Sequence, residues 1–176
     1  TPVSAADDKA AYAMQQLEPS FITFEFHDKT ARWGMYAYSL SYFFLLPIGG
    51  LAAMVAFARR RELAPFRVFC LAVAIDYLVS LPLFLAFPVP ERWAYPGSNA
   101  MLLSDYWSSS LILWIRPISA INNCFPSTHT SLTVIILLIC WRFGFRFRYT
   151  VTALGLTVIF ATFVLGIHWL GDIIAG

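Results

Sequence analysis

Long apolar stretches alternate with short polar connections along this chain. Four runs stand out: Ser39–Ala58, interrupted by Pro47 and Gly49-Gly50, then Phe66–Phe87, Ser127–Trp141 and Tyr149–Ile167. Each holds about 15 to 22 residues, close to the ~17–25 that carry a helix across a bilayer. The pattern predicts four spanning helices, with the third needing tilt or local thinning. A fifth run opens at Leu170-Gly171-Asp172 and stops at Gly176, too short to cross. We expect the native chain to continue past it and, given Thr1 in place of a methionine, to begin earlier. Residues 1–38 are more polar. Asp8–Trp33 mixes Tyr12, Met14, Leu17 and Phe21 with Glu18, Glu25, His27 and Asp28, which reads as an interfacial amphipathic stretch. The expected division is therefore an interfacial segment, 1–38, and a transmembrane domain, 39–176, with a loop at 88–126.

Composition sharpens this picture. Of 176 residues, 59% are hydrophobic and only 12% charged, against roughly 25% charged in soluble domains. Such a chain cannot cover a water-facing surface, so we expect an all-helical integral membrane protein. The net charge of +2, with no basic tract interleaved with aromatics, gives no reason to expect a nucleic-acid partner. Cys70, Cys124 and Cys140 show neither metal-ligand nor disulfide spacing, so neither a zinc site nor a disulfide framework is expected, and the chemistry read below calls for no metal or other cofactor. The polar stretch Thr1–Lys9 lacks the basic n-region and following apolar core expected of a signal peptide.

Arginines set the expected orientation. Arg59, Arg60, Arg61 and Arg67 lie between the first and second runs; Arg142, Arg146 and Arg148 lie between the third and fourth. With four spans, both groups fall on one side, which the positive-inside bias marks as cytoplasmic. The loop 88–126 and the turn at His168 are then extracytoplasmic. Trp33, Trp93, Trp107, Trp114, Trp141 and Trp169 fall mostly at run boundaries, as an aromatic belt does.

Candidate chemistry collects on that outer side. His129 and His168 are 39 positions apart, enough for one crossing in and one crossing out. His129 sits in Pro126-Ser127-Thr128-His129. The plain reading of that tetrapeptide is a helix N-cap; the functional reading is an anion site at a helix start, with His129 placed to protonate a leaving oxygen. His168 and Asp172 would share a face if helical, the carboxylate fixing the imidazole tautomer. Arg116-Pro117 precedes the first motif, Pro117 standing nine residues before Pro126. Arg116 either snorkels to the interface or clamps a phosphate. Asp76, near the middle of the second run, is a functional candidate by depth; a structural hydrogen bond to Ser80, Ser41 or another helix accounts for it at least as well, and it is left out of the catalytic set.

The order Arg116-Pro117, Pro126-Ser127-x-His129, His168-x-x-x-Asp172 resembles the type 2 phosphatidic acid phosphatase superfamily. Its signature is Lys-x6-Arg-Pro, Pro-Ser-Gly-His and Ser-Arg-x5-His-x3-Asp, and the likeness runs from Ser109 to Asp172. The resemblance implies a six-helix membrane core, of which at least four spans are visible. It also implies roles: Arg116, Ser127 and Thr128 around the phosphate, His129 as general acid, His168 as nucleophile and Asp172 orienting it. A phosphohistidine would pass its phosphoryl group to water or an alcohol. Ser109 and Thr162 stand where the signature has lysine and arginine, and Thr128 where it has glycine. Phe125-Pro126-Ser127-x-His129 without that arginine resembles most the inositol phosphorylceramide synthase-like branch. Two missing cations favour a phosphodiester, with one negative charge, over a monoester with up to two. Arg92 is the cation available to fill the gap.

The expected function is lipid phosphotransfer or phosphodiester cleavage, the partners being a membrane lipid and an alcohol or water acceptor. A lipid phosphate monoester phosphatase and an inactive lipid-binding relative are the competing readings. A transporter would account for Asp76 but not for two histidine motifs on one face.

Overall fold

Helices are the only regular structure among the described residues of the computed structural model, which are 5–17, 29–95, 98, 107, 110–111, 113–114 and 123–176. In chain order they are α1 (Ala5–Leu17), α2 (Lys29–Leu40), a π-helical turn (Ser41–Leu45), α3 (Leu46–Ala58), α4 (Ala64–Ala86), a 3-10 turn (Arg92–Ala94), α5 (Thr128–Arg142), α6 (Arg148–Val164) and α7 (Leu170–Ala175). The all-helical expectation holds for these residues.

The first apolar run is longer and less broken than its sequence suggests. Helical order starts at Lys29 and continues through position 39 to Ala58. Pro47 does not interrupt it. A proline inside a helix lacks the N–H for the residue four back and crowds that carbonyl, here Phe43. The wider turn at Ser41–Leu45 falls at that carbonyl. Two helices are long and apolar enough to cross a membrane, Gly34–Ala58 and Ala64–Ala86. Both show their apolar side chains outward: Leu71, Ile75, Leu78, Leu81 and Leu85 of α4 are all at least half exposed. A core helix of a water-soluble protein would bury them. α5 and α6, at 15 and 17 residues, reach only roughly 22 and 25 Å at 1.5 Å per residue, so four full-length spans are not what the described helices give. The predicted loop at 88–126 also contains helical residues, Trp107, Ser110, Leu111, Leu113 and Trp114 among them.

Glycines end both α5, which carries His129, and α6, which leads into the His168 motif. After α5, Gly144 at φ +62° closes a turn in which Phe145 N–H reaches Cys140 O and Gly144 N–H reaches Trp141 O. After α6, Gly166 at φ +74° does the same: Ile167 N–H bonds Thr162 O and Gly166 N–H bonds Phe163 O. This double bond pattern is the Schellman cap, and its left-handed residue favours glycine for want of a Cβ clash.

α5 lies against α4 and α6, and α6 against α2 and the π-helical turn. One buried cluster, of Ala53, Phe57, Ile136, Ile139, Cys140 and Phe145, packs the end of the bundle where the arginines lie. There the Arg60 guanidinium stands 4.2 Å above the Phe145 ring centroid, so the α3–α4 and α5–α6 connections meet at one end. At the other end, Met35, Tyr42, Leu165 and Ile167 form a second cluster, and Ala11, Val89, Cys124 and Trp169 a third. These two surround the motifs. Between α4 and α5, Ser131 Oγ donates to Asp76 Oδ2 at 3.0 Å, so of the partners open to Asp76 the structure supplies one on another helix.

Candidate active site

Each motif is held by backbone before any side chain acts. Ser127 caps α5, accepting from Thr130 N–H at 3.4 Å and from the Thr130 hydroxyl at 3.1 Å. Ser127 N–H in turn donates to Asp172 O at 3.0 Å, which ties the two motifs together directly. α7 lies so close over this turn that a Cβ at Gly176 would overlap the Ser127 carbonyl. The segment after α4 completes the frame. Arg92 and Trp93 N–H bond Ile167 O and Gly166 O at 3.1 and 2.9 Å, and Cys124 N–H bonds Val89 O at 3.1 Å. Trp169 Nε1–H donates to Pro90 O at 2.9 Å.

Within this frame the two imidazoles converge, with ring centroids 5.9 Å apart. The approach is not the helical one expected for His168. His168 precedes α7 and is not part of a helix; the Schellman turn at Gly166 delivers it, and its N–H bonds Thr162 O. Asp172 meets it through the cap of α7 instead of along a shared helical face. Asp172 is the third residue of that helix, and its Oδ2 reaches back to Trp169 N–H at 2.9 Å, the acidic half of a capping box. The same oxygen lies 3.3 Å from His168 Nδ1. Asp172 is fully buried, and its Oδ1 has no partner among the described residues.

Two further residues contact the histidines, and sequence reasoning assigned neither. Cys124 Sγ lies 3.1 Å from His168 Nδ1 and 3.2 Å from Ile167 O. With the thiol proton on the carbonyl, sulfur is left as a weak acceptor for Nδ1–H alongside Asp172. Both contacts sit on the Nδ1 edge, so Nε2 is the nitrogen turned away from them. Tyr42 stacks on His129 with centroids 4.6 Å apart and planes at 19°, restricting rotation of that ring. No local pattern marks either contact, because each joins segments far apart in sequence. Cys124 Sγ, His168 Nδ1 and the Asp172 carboxylate lie within 4.8 Å of one another, the spacing of a three-ligand metal set. Here the trio is already bonded to itself and to Ile167 O.

The phosphate-binding expectations divide. Ser127 and Thr128 stand at the N-terminus of α5, Ser127 enclosed and Thr128 half-buried. Arg116 and Ser109 lie outside the described residues. Thr162 is fully buried, its hydroxyl donating to Ile159 O at 2.8 Å; it serves the backbone turn that carries His168. Beside it, the buried Arg92 places its guanidinium 4.7 Å from the Phe163 ring centroid.

A family model described as the PAP2 superfamily matches residues 65–176, from α4 through α7 and including both histidine motifs. No curated protein and no solved structure gives a match. The family match covers well over half of the chain, which belongs to the PAP2 superfamily. Members of that superfamily are phosphatases or phosphotransferases acting on phosphate-containing substrates, and are generally membrane proteins.

Proposed function

We propose that this PAP2 superfamily member is an integral membrane enzyme that cleaves or transfers the phosphate-bearing head group of a lipid diester through a phosphohistidine. The convergence of His129 and His168 carries the reading. Ring centroids 5.9 Å apart bring both imidazoles within reach of a single phosphate group lying beside them, the proximity that nucleophile and acid need.

The roles follow from the contacts. His168 Nε2 attacks phosphorus while Nδ1–H is held by Asp172, with Cys124 beside it. The P–O bond to the leaving group breaks as His129 donates its proton to that oxygen. Water or an alcohol then attacks the phosphohistidine, giving up its proton to His129 and restoring His168. Negative charge on the transferring group falls at the start of α5, where first-turn amides and the positive end of the helix dipole favour anions. Tyr42 keeps the His129 ring in place for both proton transfers.

The cations favour a diester. Arg116 is one, and Thr162 supplies none, since its side chain is committed to Ile159 O. Arg92 brings a second positive charge against the turn before His168. A dianionic monoester desolvated here has less compensating charge than the superfamily signature provides. This inventory, with Phe125-Pro126-Ser127-x-His129, is why we place the chain nearest the inositol phosphorylceramide synthase-like branch. The basic turns lie at the opposite end of α5 and α6 from the histidines, so the site opens on the extracytoplasmic face. We take the complete domain to be a six-helix core.

The test is kcat/KM of purified protein on a phospholipid diester, on phosphatidic acid and on an isoprenoid phosphate of matched chain length, with and without an alcohol acceptor. The diester should be preferred, with product rising as alcohol is added. The buried Arg92 is the observation that favours the alternative, monoester hydrolysis. Vigorous monoester turnover with inert diesters would establish that alternative.

A further inference from the structure

We propose that the apolar groove between α3, α5 and α6 receives an acyl chain of the substrate lipid, an inference that rests on the lipid-phosphoester reading above. The groove encloses about 340 Å³, within the range of ~300–1,000 Å³ typical of ligand pockets. Its walls come from Gly49, Gly50 and Ala53 of α3, Thr133 and Ile136 of α5, and Gly155 of α6, with other apolar neighbours.

Its origin is a mismatch in how closely the helices approach. Small residues normally let two helices close on each other. α5 and α6 do so: a Cβ at Gly155 would come within 2.8 Å of Thr133 Cγ2. α3 does not. A Cβ at Gly49 would meet nothing within 4 Å, and one at Gly50 only Ile136 Cδ1 at 4.0 Å. Among the described residues, the space between is therefore left open.

Position and chemistry select the occupant. Thr133 is one turn from His129 on α5, and its hydroxyl is turned back to His129 O at 2.6 Å. It offers the groove only a methyl group. Tyr42, which stacks on His129, is one turn before Leu45 and Leu46 at the head of the groove. The groove thus starts directly below the general acid and continues from Leu45 to Ala56, about 16 Å along α3 at 1.5 Å per residue. Its lining is almost wholly apolar, as a hydrocarbon chain hung from a head group at the histidines requires. Moving that chain from bilayer to groove yields little free energy, since lipid tails are already apolar. What the groove contributes is position. A chain held there fixes the phosphate between the histidines, and binding by remote parts of a substrate is realised in the rate.

A Cβ at Gly49 meets no described atom within 4 Å, so Gly49→Leu should extend into the groove and fold. We expect kcat/KM for a long-chain lipid to fall by about tenfold or more, while a water-soluble phosphodiester of the same head group changes less than about twofold. Parallel loss on both substrates, no loss on either, or a change in oligomeric state would overturn the assignment. A phospholipid with a photoactivatable group in its acyl chain gives a second readout. Its crosslinks should map to α3 and α6 around the groove and be competed by a non-hydrolysable analogue of the substrate. Crosslinking that resists competition would mark a bulk membrane lipid and also overturn it. If the unmodified protein turned over neither substrate, the enzymatic reading would fall on its own, and the competed crosslink would still decide the groove.

Discussion

Asp172→Asn tests how the proposed nucleophile is held, and its effect can be worked from one atom. Asp172 Oδ2 accepts from both Trp169 N–H at 2.9 Å and His168 Nδ1–H at 3.3 Å. An asparagine that keeps its oxygen at that place retains both bonds, so the imidazole stays in the tautomer with Nε2 unprotonated. What is lost is the negative charge opposite the ring as it turns positive during attack. A hydrogen bond to a charged group exceeds a neutral one by about 1–1.5 kcal/mol, which is roughly five- to tenfold in rate. A wrong tautomer costs a triad-type site about 10⁴-fold. We therefore predict that Asp172→Asn retains about a tenth of the wild-type kcat/KM. Its amide nitrogen, left at the buried Oδ1 position without a partner among the described residues, should cost about 1–3 kcal/mol of stability. Asp172→Ala deprives two N–H groups of their acceptor and should lose about 10³-fold or more. Steady-state kinetics beside thermal unfolding in detergent separates rate from stability. A loss of about 10⁴-fold for both variants would refute the shared-oxygen account.

Three other outcomes follow from the same contacts. His129→Ala should lose about 10²–10⁴-fold on an alkyl ester and much less on a phenolic ester, whose leaving group needs little protonation; equal losses would remove His129 from the acid role. Gly166→Ala forces a side chain onto a left-handed residue and should cost about 1–2 kcal/mol while displacing His168, seen as a lower unfolding temperature and a reduced kcat; an unchanged kcat would separate the turn from the chemistry. In a cysteine-free background, cysteine substituted at Tyr95 should react with an impermeant reagent added outside intact cells, and cysteine substituted at Arg60 or Arg146 should not; the reverse pattern would invert the orientation.

Much of the helical layout is legible because apolar runs and their bounding motifs are local features. The run at Ser127–Trp141 matches α5 within one residue at each end, and the alternation of basic turns with histidine motifs matches the two ends of the bundle. Local pattern fails where the chain departs from a regular helix. Pro47 reads as an interruption, yet the π-helical turn before it carries the helix on. His168 and Asp172 read as a helical pair, yet Gly166 stops α6 at Val164 and a cap brings the two together. The contacts of Cys124 with His168 and of Tyr42 with His129 depend on packing between distant segments, which neither spacing nor composition encodes. Arg92 stands between these cases. Its charge and its loop are visible in the sequence, but its burial against Phe163 is not.

In the proposed reaction His168 carries the phosphoryl group between donor and acceptor. The most direct measurement is rapid quench of the purified protein with a lipid labelled at phosphorus, followed by treatment of the denatured protein with acid or alkali. Wild-type protein should carry label at the peptide containing His168, lost in acid and retained in alkali as a phosphorus–nitrogen bond requires. His168→Ala should carry no label, and label should accumulate on His129→Ala when a phenolic ester is the donor. Turnover by wild type with no acid-labile label at any quench time, or full activity in His168→Ala, would contradict this role of His168.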